Sequence, residues 1–327
     1  MDHIHQNMLQ EFSSKSILIT GGAGFLGSWM CDYLLKNDAK VFCLDDLSTG
    51  ILENILELSK HKNFVFLKKN VIEKIEIKEK FDVIIHMASR PSPEDYIQFP
   101  VKTLEANSKG TNNVLEIARK HDSVLVYAST SEVYGDAKII PTPENYWGFV
   151  NPIGIRSCYD EGKRFSEALL MAYNREYGLN TKIIRIFNTY GPRIRADGAY
   201  GRALPRFIRQ ALKNQDVTIY GDGLQTRSFC YVTDTINAIL KCIFNKKITA
   251  TPINIGNPDE ITIKELAEKI ISKTKSNSAI TFLERPEDDP QRRCPDITFA
   301  KTILDWKPVV NLDQGLENTI SWFKNRI

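Results

Sequence analysis

The segment Thr20–Gly27, TGGAGFLG, decides the fold because it joins a buried strand to an amphipathic helix. It directly follows the apolar run Ser16–Thr20 (SILIT), and helical spacing of apolar residues begins at Phe25. Glycines at positions 21, 24 and 27 allow a tight turn, the approach of a pyrophosphate to the backbone, and close packing of the helix on the sheet. The helix N-terminus would present unpaired N–H groups to the phosphates. The segment therefore predicts a dinucleotide-binding loop.

A pair of acids supplies the second part of this signature. The second predicted strand, Lys40–Leu44, is followed by Asp45 and Asp46, about 18 residues beyond Gly27, near the spacing of an acid that binds the adenosine ribose. Such an acid would repel a 2′-phosphate, so the sequence predicts NAD as cofactor; a structural turn with a chance acid is the alternative. The residues predicted to contact NAD are Gly21, Gly24, Phe25, Leu26, Gly27, Asp45, Asp46, Asn70 and Val71.

Apolar runs alternate with amphipathic stretches through the first half of the chain. Further strands are predicted at 64–67, 83–86, 123–128 and 182–186, with long helices at 101–121 and 159–177. Strands with few polar breaks, separated by helices, indicate a parallel sheet that is covered on both faces. The sequence therefore predicts an α/β fold, a Rossmann-type doubly wound parallel sheet.

The texture of the chain changes after Gly191, where loops rich in Arg, Gly and Pro flank short strands and helices. We predict a Rossmann domain over residues 1–190, to which residues 228–262 return with another helix and strand. Residues 191–227 and 263–327 are predicted to form a smaller, interleaved C-terminal lobe that binds the substrate.

Composition narrows the classes of function. The chain has 327 residues, with 43 Lys and Arg against 40 Asp and Glu, a formal charge of +3. This balance argues against a nucleic-acid partner. Six cysteines without a CxxC pair predict reduced thiols and no metal site. With neither a signal-like segment nor a run of about 18 apolar residues, we expect a cytoplasmic protein that does not enter a membrane.

Two further segments carry groups that suit hydride-transfer chemistry. Ala128–Gly135 (ASTSEVYG) follows a predicted strand, so Thr130, Ser131 and Glu132 would emerge at the carboxyl edge of the sheet, where ligands bind. Tyr159 and Lys163 are four residues apart, on one face of a helix. Because an ammonium stabilises phenolate, we expect the pKa of Tyr159 to fall from about 10 toward the working pH. An isolated YxxxK is usually a surface pair. Here it follows both a dinucleotide-binding loop and the STSE segment at 129–132, and this combination predicts a catalytic role.

In these segments the chain resembles the extended short-chain dehydrogenase/reductases that act on nucleotide sugars. The resemblance spans nearly the whole chain, from TGGAGFLG to DWKP at 305–308, and includes STSEVYGD (129–136), YWGFVNPIGIRSCYDEGKR (146–164), RIFNTYGPR (185–193), QTRSFCYV (225–232) and DDPQRRCPDI (288–297). It implies a catalytic NAD that stays bound and a nucleotide-diphosphate sugar as substrate, with a UDP-sugar favoured. Within the family, the branch that decarboxylates UDP-glucuronate is the most similar.

The resemblance also implies roles for single residues. Tyr159 would take the proton of the sugar 4′-OH, Lys163 would hold the cofactor ribose, and Thr130 with Ser131 would hydrogen-bond the developing ketone. Glu132 would position the substrate or manage protons at C5′. The substrate-binding residues would be Asn188, Arg227 and Arg293 near the diphosphate and uridine, and Arg202 near the sugar; an exposed, solvated side chain is the alternative for each arginine.

One loop departs from the pattern of that branch. Arg90 and Glu94 stand where the decarboxylases have small residues and proline, and the loop from Pro192 to Arg202 also differs. Arg90 would pair with the substrate carboxylate, or would indicate a different sugar. A surface ion pair with Glu94 or Asp95 is the third alternative.

Other functions stay open on this sequence. A 4-epimerase, a 4,6-dehydratase or a 5,6-dehydratase would use the same first oxidation, although Ser131-Glu132 replaces the Asp-Glu pair usual in 4,6-dehydratases. A non-catalytic module that binds NAD or a nucleotide sugar is the alternative from a different class. Because family members commonly pair through two helices, we expect a homodimer formed by Val101–His121 and Tyr159–Tyr177.

Overall fold

The structure is a computed structural model that describes residues 11–196 and 202–326. The strands are, in chain order, β1 (Ser16–Thr20), β2 (Lys40–Asp45), β3 (Phe64–Lys68), β4 (Val83–His86), β5 (Val124–Thr130), β6 (Thr181–Ile186), β7 (Thr189–Tyr190), β8 (Val217–Tyr220), β9 (Thr226–Ser228), β10 (Cys230–Tyr231), β11 (Pro252–Ile255), β12 (Glu260–Thr262), β13 (Ile280–Leu283) and β14 (Arg292–Arg293).

Ten α-helices lie among the described residues. They are α1 (Phe25–Lys36), α2 (Pro93–Gln98), α3 (Pro100–Glu105), α4 (Thr111–His121), α5 (Ser157–Tyr177), α6 (Ala203–Leu212), α7 (Val232–Phe244), α8 (Ile263–Thr274), α9 (Thr298–Leu304) and α10 (Leu312–Lys324). Short 3-10 helices cover Leu52–Asn54, Leu58–Lys60 and Ser131–Tyr134.

The central sheet confirms the predicted fold class. Seven parallel strands pair in the order β11-β6-β5-β4-β1-β2-β3, so β1 lies between β4 and β2. Thr20 at the end of β1 is level with His86 of β4 and Leu44 of β2, and Thr130 at the end of β5 pairs with Ile186. The segments that follow these strands therefore meet at one edge of the sheet, where doubly wound folds bind their ligands.

Helices cover both faces of this sheet, because alternate residues of each strand point to opposite sides. Ile17 and Ile19 of β1 pack in one core cluster with Leu34 of α1 and Leu240 of α7. Leu18 packs in the other, which also holds buried side chains of α4 and α5, such as Leu115 and Leu170. Burial on both faces explains why the strands read as continuous apolar runs.

The helix predicted at 101–121 is interrupted. Between α3 and α4 the residues Ala106–Gly110 form a π-helical turn. The carbonyl of Asn107 accepts a hydrogen bond from the hydroxyl of Ser166 in α5 at 2.5 Å, so the backbone of this turn is used outside its own helix. Gly162 of α5 permits this approach, since a Cβ there would lie 3.2 Å from Cβ of Asn107. The apolar spacing of this segment carried no signal for a contact with another helix.

Short strands built after residue 188 form three small sheets: β7 with β10, β9 between β12 and β14, and β8 with β13. The predicted returning strand is β11, which joins the edge of the central sheet beside β6. The division into two units at the predicted boundaries stays a prediction.

Within the described ranges, no helix is both long and apolar enough to cross a membrane. In the same ranges, no three or more His, Cys, Asp or Glu side chains are grouped as ligands for a metal ion.

Candidate active site

The dinucleotide loop, defined as residues 20–27, forms a cradle of bare backbone at the N-terminus of α1. Gly21 has φ +72°, and a Cβ on it would lie 2.8 Å from the backbone of Ala88. A Cβ on Gly27 would lie 2.1 Å from the carbonyl oxygen of Gly21. No side chain caps the N-terminus of α1, so its first N–H groups have no side-chain acceptor. This cradle fits the pyrophosphate of a dinucleotide.

The structure separates the two acids that the sequence analysis grouped together. Asp45 is buried and accepts hydrogen bonds from the backbone N–H of Ala23 at 3.0 Å and of Leu47 at 2.9 Å. Burial raises the pKa of Asp45, while these two bonds oppose the rise. Asp46 instead accepts from the amide of Asn70 at 2.8 Å and from the N–H of Ser48 at 2.9 Å. Asp45 therefore braces the dinucleotide loop.

Two cavities of similar size open at this edge of the sheet, of about 380 and about 370 Å³. The first, the main cavity, is lined by every predicted site residue except four. The second is lined by those four, Asp46, Asn70, Val71 and Arg90. Gly21 and Asp45 line both, so the two cavities adjoin at the dinucleotide loop.

The structure does not bring Arg90 to the main cavity, where the predicted pairing with a substrate carboxylate would require it. Its guanidinium lies over the ring of Phe99, 5.1 Å from the centroid, beside the second cavity. Asp95, one of its two predicted surface partners, instead pairs with Arg195 at 2.6 Å. Arg90 thus lies on the side of Asn70 and Val71, which were predicted to contact the cofactor.

Tyr159 lies in the first turn of α5 and is buried in the wall of the main cavity. Lys163, one turn later, donates a hydrogen bond to the carbonyl of Ala128 at 2.8 Å, and its Nζ lies 5.9 Å from the centroid of the Tyr159 ring. The ring of Tyr96 stacks on that of Tyr159 at 5.2 Å between centroids. The sequence carried no signal for Tyr96, because the residues around it are the same as those around an ordinary core aromatic residue.

The expected lowering of the Tyr159 pKa is wrong for this protein. Burial raises the pKa of Tyr159, and the carboxylate of Glu132 raises it further, whereas a hydrogen bond with Thr130 and the charge of Arg202 oppose the rise. Burial also lowers the pKa of Lys163 to about 7. Spacing on a helix predicted the pair, but it could not show how completely the fold removes both groups from water.

Thr130, Ser131 and Glu132 follow β5 into a 3-10 helix and line the same cavity. The hydroxyl of Thr130 accepts from the backbone N–H of Glu132 at 3.2 Å and so caps this turn. The carbonyl of Ser131 accepts from Arg293 at 2.5 Å. The turn thus aims Thr130 at Tyr159 and joins Ser131 to a distant part of the chain.

Glu132 lies at the centre of a set of six charged side chains, three of them buried and three half-buried, which we call the arginine–acid cluster. Its carboxylate accepts hydrogen bonds from Arg293 at 2.6 Å and from Arg156. Burial disfavours the charged form, but the cations of Arg293 and Arg156 hold the pKa of Glu132 below its ordinary value. Glu132 is therefore ionised at neutral pH. The cluster consists of Glu132, Arg156, Asp160, Arg227, Asp289 and Arg293.

Asp160 is the least well paired member of the arginine–acid cluster. One of its oxygens lies 3.9 Å from Nε of Arg156, and the other is buried without a hydrogen-bond partner. Burial and the neighbouring charge of Glu132 raise the pKa of Asp160 to about 7. Sequence reasoning missed Arg156, Asp160 and Asp289, because their pairing depends on segments far apart in the chain.

The predicted substrate-binding residues occupy the rest of the main cavity wall. Nη2 of Arg227 donates to both carboxylate oxygens of Asp289 at 3.2 Å, and Nη1 donates to the carbonyl of Thr226 at 2.8 Å. Asn188 follows β6, and its backbone carbonyl accepts a hydrogen bond from the backbone N–H of Cys230 at 2.9 Å. Arg202 precedes α6 and lines the cavity. Together with Arg293, these residues bring three guanidinium groups to the wall of the main cavity, and those of Arg227 and Arg293 are paired with Asp289 and Glu132.

Comparison with known proteins agrees with this geometry. Residues 17–256 match the model of the NAD dependent epimerase/dehydratase family. UDP-glucuronic acid decarboxylase 1 of Danio rerio is 45% identical over 319 residues, which is 98% of this chain and 75% of that protein.

Two solved structures share the fold over most of their length. An epimerase of Methanothermobacter thermautotrophicus superimposes with a TM-score of 0.91 at 28% identity, covering 98% of this chain and 95% of that one. UDP-glucose 4-epimerase of Thermus thermophilus, solved in complex with NAD, superimposes with a TM-score of 0.84 at 27% identity, covering 95% of this chain and 100% of that one. The dinucleotide loop, the Tyr159–Lys163 pair and these matches lead to one conclusion. The chain belongs to the NAD-dependent epimerase/dehydratase family.

Proposed function

We propose that this chain decarboxylates UDP-glucuronate to UDP-xylose with a catalytic, regenerated NAD. The observation that carries the proposal is the wall of the main cavity, where Tyr159 and Thr130 lie next to an ionised Glu132 held by two arginines. The similarity to curated UDP-glucuronic acid decarboxylases over nearly the whole chain supports it.

In the first step, Tyr159 removes the proton of the sugar 4′-OH while the hydrogen on C4′ leaves as hydride. NAD⁺, when bound, supplies the hydride acceptor and later the hydride donor. Lys163 holds the ribose hydroxyls, and Thr130 donates a hydrogen bond to the oxygen that becomes the 4′-ketone. Because burial raises the pKa of Tyr159, its phenolate is a strong base for this proton, and the phenol gives the proton back to the 4′-oxygen only when hydride returns to C4′.

The second step is the loss of CO₂. Once C4′ is a ketone, the C5′ carboxylate is β to it, so the bond from C5′ to the carboxyl carbon breaks and its electron pair forms an enolate. The hydrogen bond from Thr130 stabilises the negative charge on that oxygen. Glu132 positions the sugar and controls proton delivery at C5′. Protonation there and return of hydride to C4′ give the UDP-pentose.

The guanidinium groups in the wall of the main cavity bind the substrate in this proposal. We assign Asn188, Arg227 and Arg293 to the diphosphate and uridine, and Arg202 to the sugar, because guanidinium groups match phosphate oxygens with two parallel N–H groups. The same assignment places the substrate in the lobe formed by residues 191–227 and 263–327.

The direct test is incubation of the purified chain with UDP-glucuronate and NAD⁺. We expect release of CO₂ and formation of a UDP-pentose in equal amounts, with no net change in NADH. Incubation with UDP-glucose and with dTDP-glucose tests the epimerase and dehydratase alternatives. Turnover of either, without CO₂ from UDP-glucuronate, would contradict the decarboxylase assignment.

We also propose that the chain forms a homodimer and works in the cytoplasm. Val101 and Leu104 of α3 and Phe165 of α5 are 67%, 43% and 51% exposed, and α3 packs against α5. Apolar side chains exposed on two adjacent helices suit a partner surface of the same kind. Light scattering should give twice the chain mass of 37.3 kDa, and V101E/F165E should reduce it to one chain.

A further inference from the structure

A largely buried ion pair between β6 and α5 has no part in the steps above. Arg185 of β6 forks onto Glu167 of α5, with Nε to Oε1 at 3.0 Å and Nη2 to Oε2 at 2.7 Å. Each side chain is only 12% exposed. A buried pair of this kind costs desolvation and is weak evidence for stability by itself, so its position invites a functional explanation.

Glu167 is joined to the strand that carries the proposed catalytic hydroxyl. The hydroxyl of Ser129 donates to Oε1 of Glu167 at 2.5 Å. The preceding carbonyl, that of Ala128, accepts from Lys163 at 2.8 Å. Two neighbouring residues of β5 are therefore fastened to α5 immediately before Thr130. Any shift of Glu167 would move Thr130 relative to Tyr159.

Arg185 extends the same connection to the 3-10 helix that carries Glu132. Its Nη1 donates to the hydroxyl of Tyr134, the last residue of that helix, at 2.8 Å, and to the carbonyl of Glu144 at 2.9 Å. The pair of Glu167 and Arg185 thus holds both ends of the segment from Ser129 to Tyr134. This segment contains all three predicted catalytic residues of that loop.

The charge of Glu167 also acts on Lys163, which precedes it by one helical turn on the same face of α5. The groups around the ammonium are His86 from β4, Tyr127 from β5, and Tyr159 and Glu167 from α5. Burial lowers the pKa of His86 to about 3, so its ring is neutral. Burial lowers the pKa of Lys163 as well, and the carboxylate of Glu167 opposes that change.

We propose that Glu167, held by Arg185 and Ser129, is a positioning residue that sets Thr130 against Tyr159 and keeps Lys163 protonated. The inference rests on the roles proposed above for Tyr159 and Lys163. The ammonium form of Lys163 binds the cofactor ribose, so its loss of a proton at high pH weakens both NAD⁺ binding and turnover. Without the Glu167 charge, that proton is lost at lower pH.

The test compares E167Q with the wild type and with E161Q, a matched control on the exposed side of the same helix, where Glu161 lies 3.4 Å from Arg164. We expect E167Q to lower kcat about tenfold. We also expect the alkaline limbs of kcat/KM and of NAD⁺ affinity to move about one pH unit lower. KM for UDP-glucuronate should change less than kcat. E167D, which keeps the charge, should restore the alkaline limb.

A folded E167Q with the alkaline limb of the wild type, or with a loss of kcat that is equal at every pH, would overturn the proposal. If E167Q does not fold, S129A decides, because it removes one bond to Glu167 and leaves the ion pair intact. Because S129A keeps the charge of Glu167, it should lower kcat and leave the alkaline limb in place; a kcat equal to that of the wild type would overturn the positioning role. NAD⁺ affinity is measured without substrate, so it still decides if the wild type releases no CO₂, which would refute only the decarboxylase function.

Discussion

The two sides of the main cavity are built in different ways. The dinucleotide loop is eight consecutive residues whose backbone N–H groups and missing side chains form the site. The arginine–acid cluster draws six charged side chains from four separate segments and buries them against each other. The dinucleotide loop depends on backbone shape, whereas the arginine–acid cluster depends on the pairing of opposite charges.

This difference determines how each side should fail. A substitution in the dinucleotide loop changes a local distance and weakens NAD binding. A substitution of a well-paired member of the arginine–acid cluster, such as Glu132 or Arg293, leaves a charge without its partner, so it destabilises the fold as well as the site. The following predictions separate these two kinds of failure.

The largest effect should come from Tyr159→Phe, where the two sides meet. Loss of the proton acceptor should lower kcat about 10³-fold, within the range for a removed acid–base group. NAD⁺ affinity and the free energy of unfolding should change little, because the ring and its stacking on Tyr96 remain. CO₂ release and a fluorescence titration with NAD⁺ measure the two quantities. Turnover at the rate of the wild type would refute the mechanism.

The next largest effect should follow from breaking the arginine–acid cluster on one side only. Glu132→Gln leaves Arg293 and Arg156 without their shared carboxylate, so it should destabilise the fold by about 3 kcal/mol. Urea unfolding of E132Q, R293M and the double variant measures the coupling. The double variant should be more stable than the sum of the single losses by about 2 kcal/mol. Strict additivity would show that the two side chains do not compensate each other.

In the dinucleotide loop, steric space should decide the order of two identical substitutions. Gly27→Ala places a Cβ 2.1 Å from the oxygen of Gly21, whereas the Cβ of Gly24→Ala would lie 3.1 Å from the same atom. We expect NAD⁺ affinity to fall about 100-fold for G27A and less than tenfold for G24A, as judged by how far the backbone must move. Calorimetric titration with NAD⁺ measures both. Equal losses would contradict the steric explanation.

The smallest effect should be a stability gain at the poorly paired acid. Because the pKa of Asp160 is raised to about 7 in the folded chain, the unfolded chain ionises first. Its contribution to stability is therefore lost as pH rises from about 4 to about 7 and stays lost above that. Asp160→Asn should stabilise the fold by about 1–2 kcal/mol at pH 8 and by less at pH 5. Urea unfolding at both pH values measures this, and a gain that does not depend on pH would contradict it.

The dinucleotide loop could be predicted from the sequence, whereas the arginine–acid cluster could not. The strands, the dinucleotide loop and the spacing of Tyr159 and Lys163 were accessible because each is a periodic or contiguous pattern. The pairing of Glu132 with Arg156 and Arg293 had no such pattern, because 24 and 161 residues separate the partners. The π-helical turn at Ala106–Gly110 and the position of Arg90 also depended on contacts with other elements.

By itself, the sequence determined the class of fold, the cofactor loop and the family, because apolar period and glycine spacing are set by neighbours along the chain. Only the tertiary structure decided which acid braces the loop, where Arg90 lies, and in which direction the pKa of Tyr159 moves. The physical reason is that burial and the charges of distant segments control these properties, and both exist only after the chain has folded.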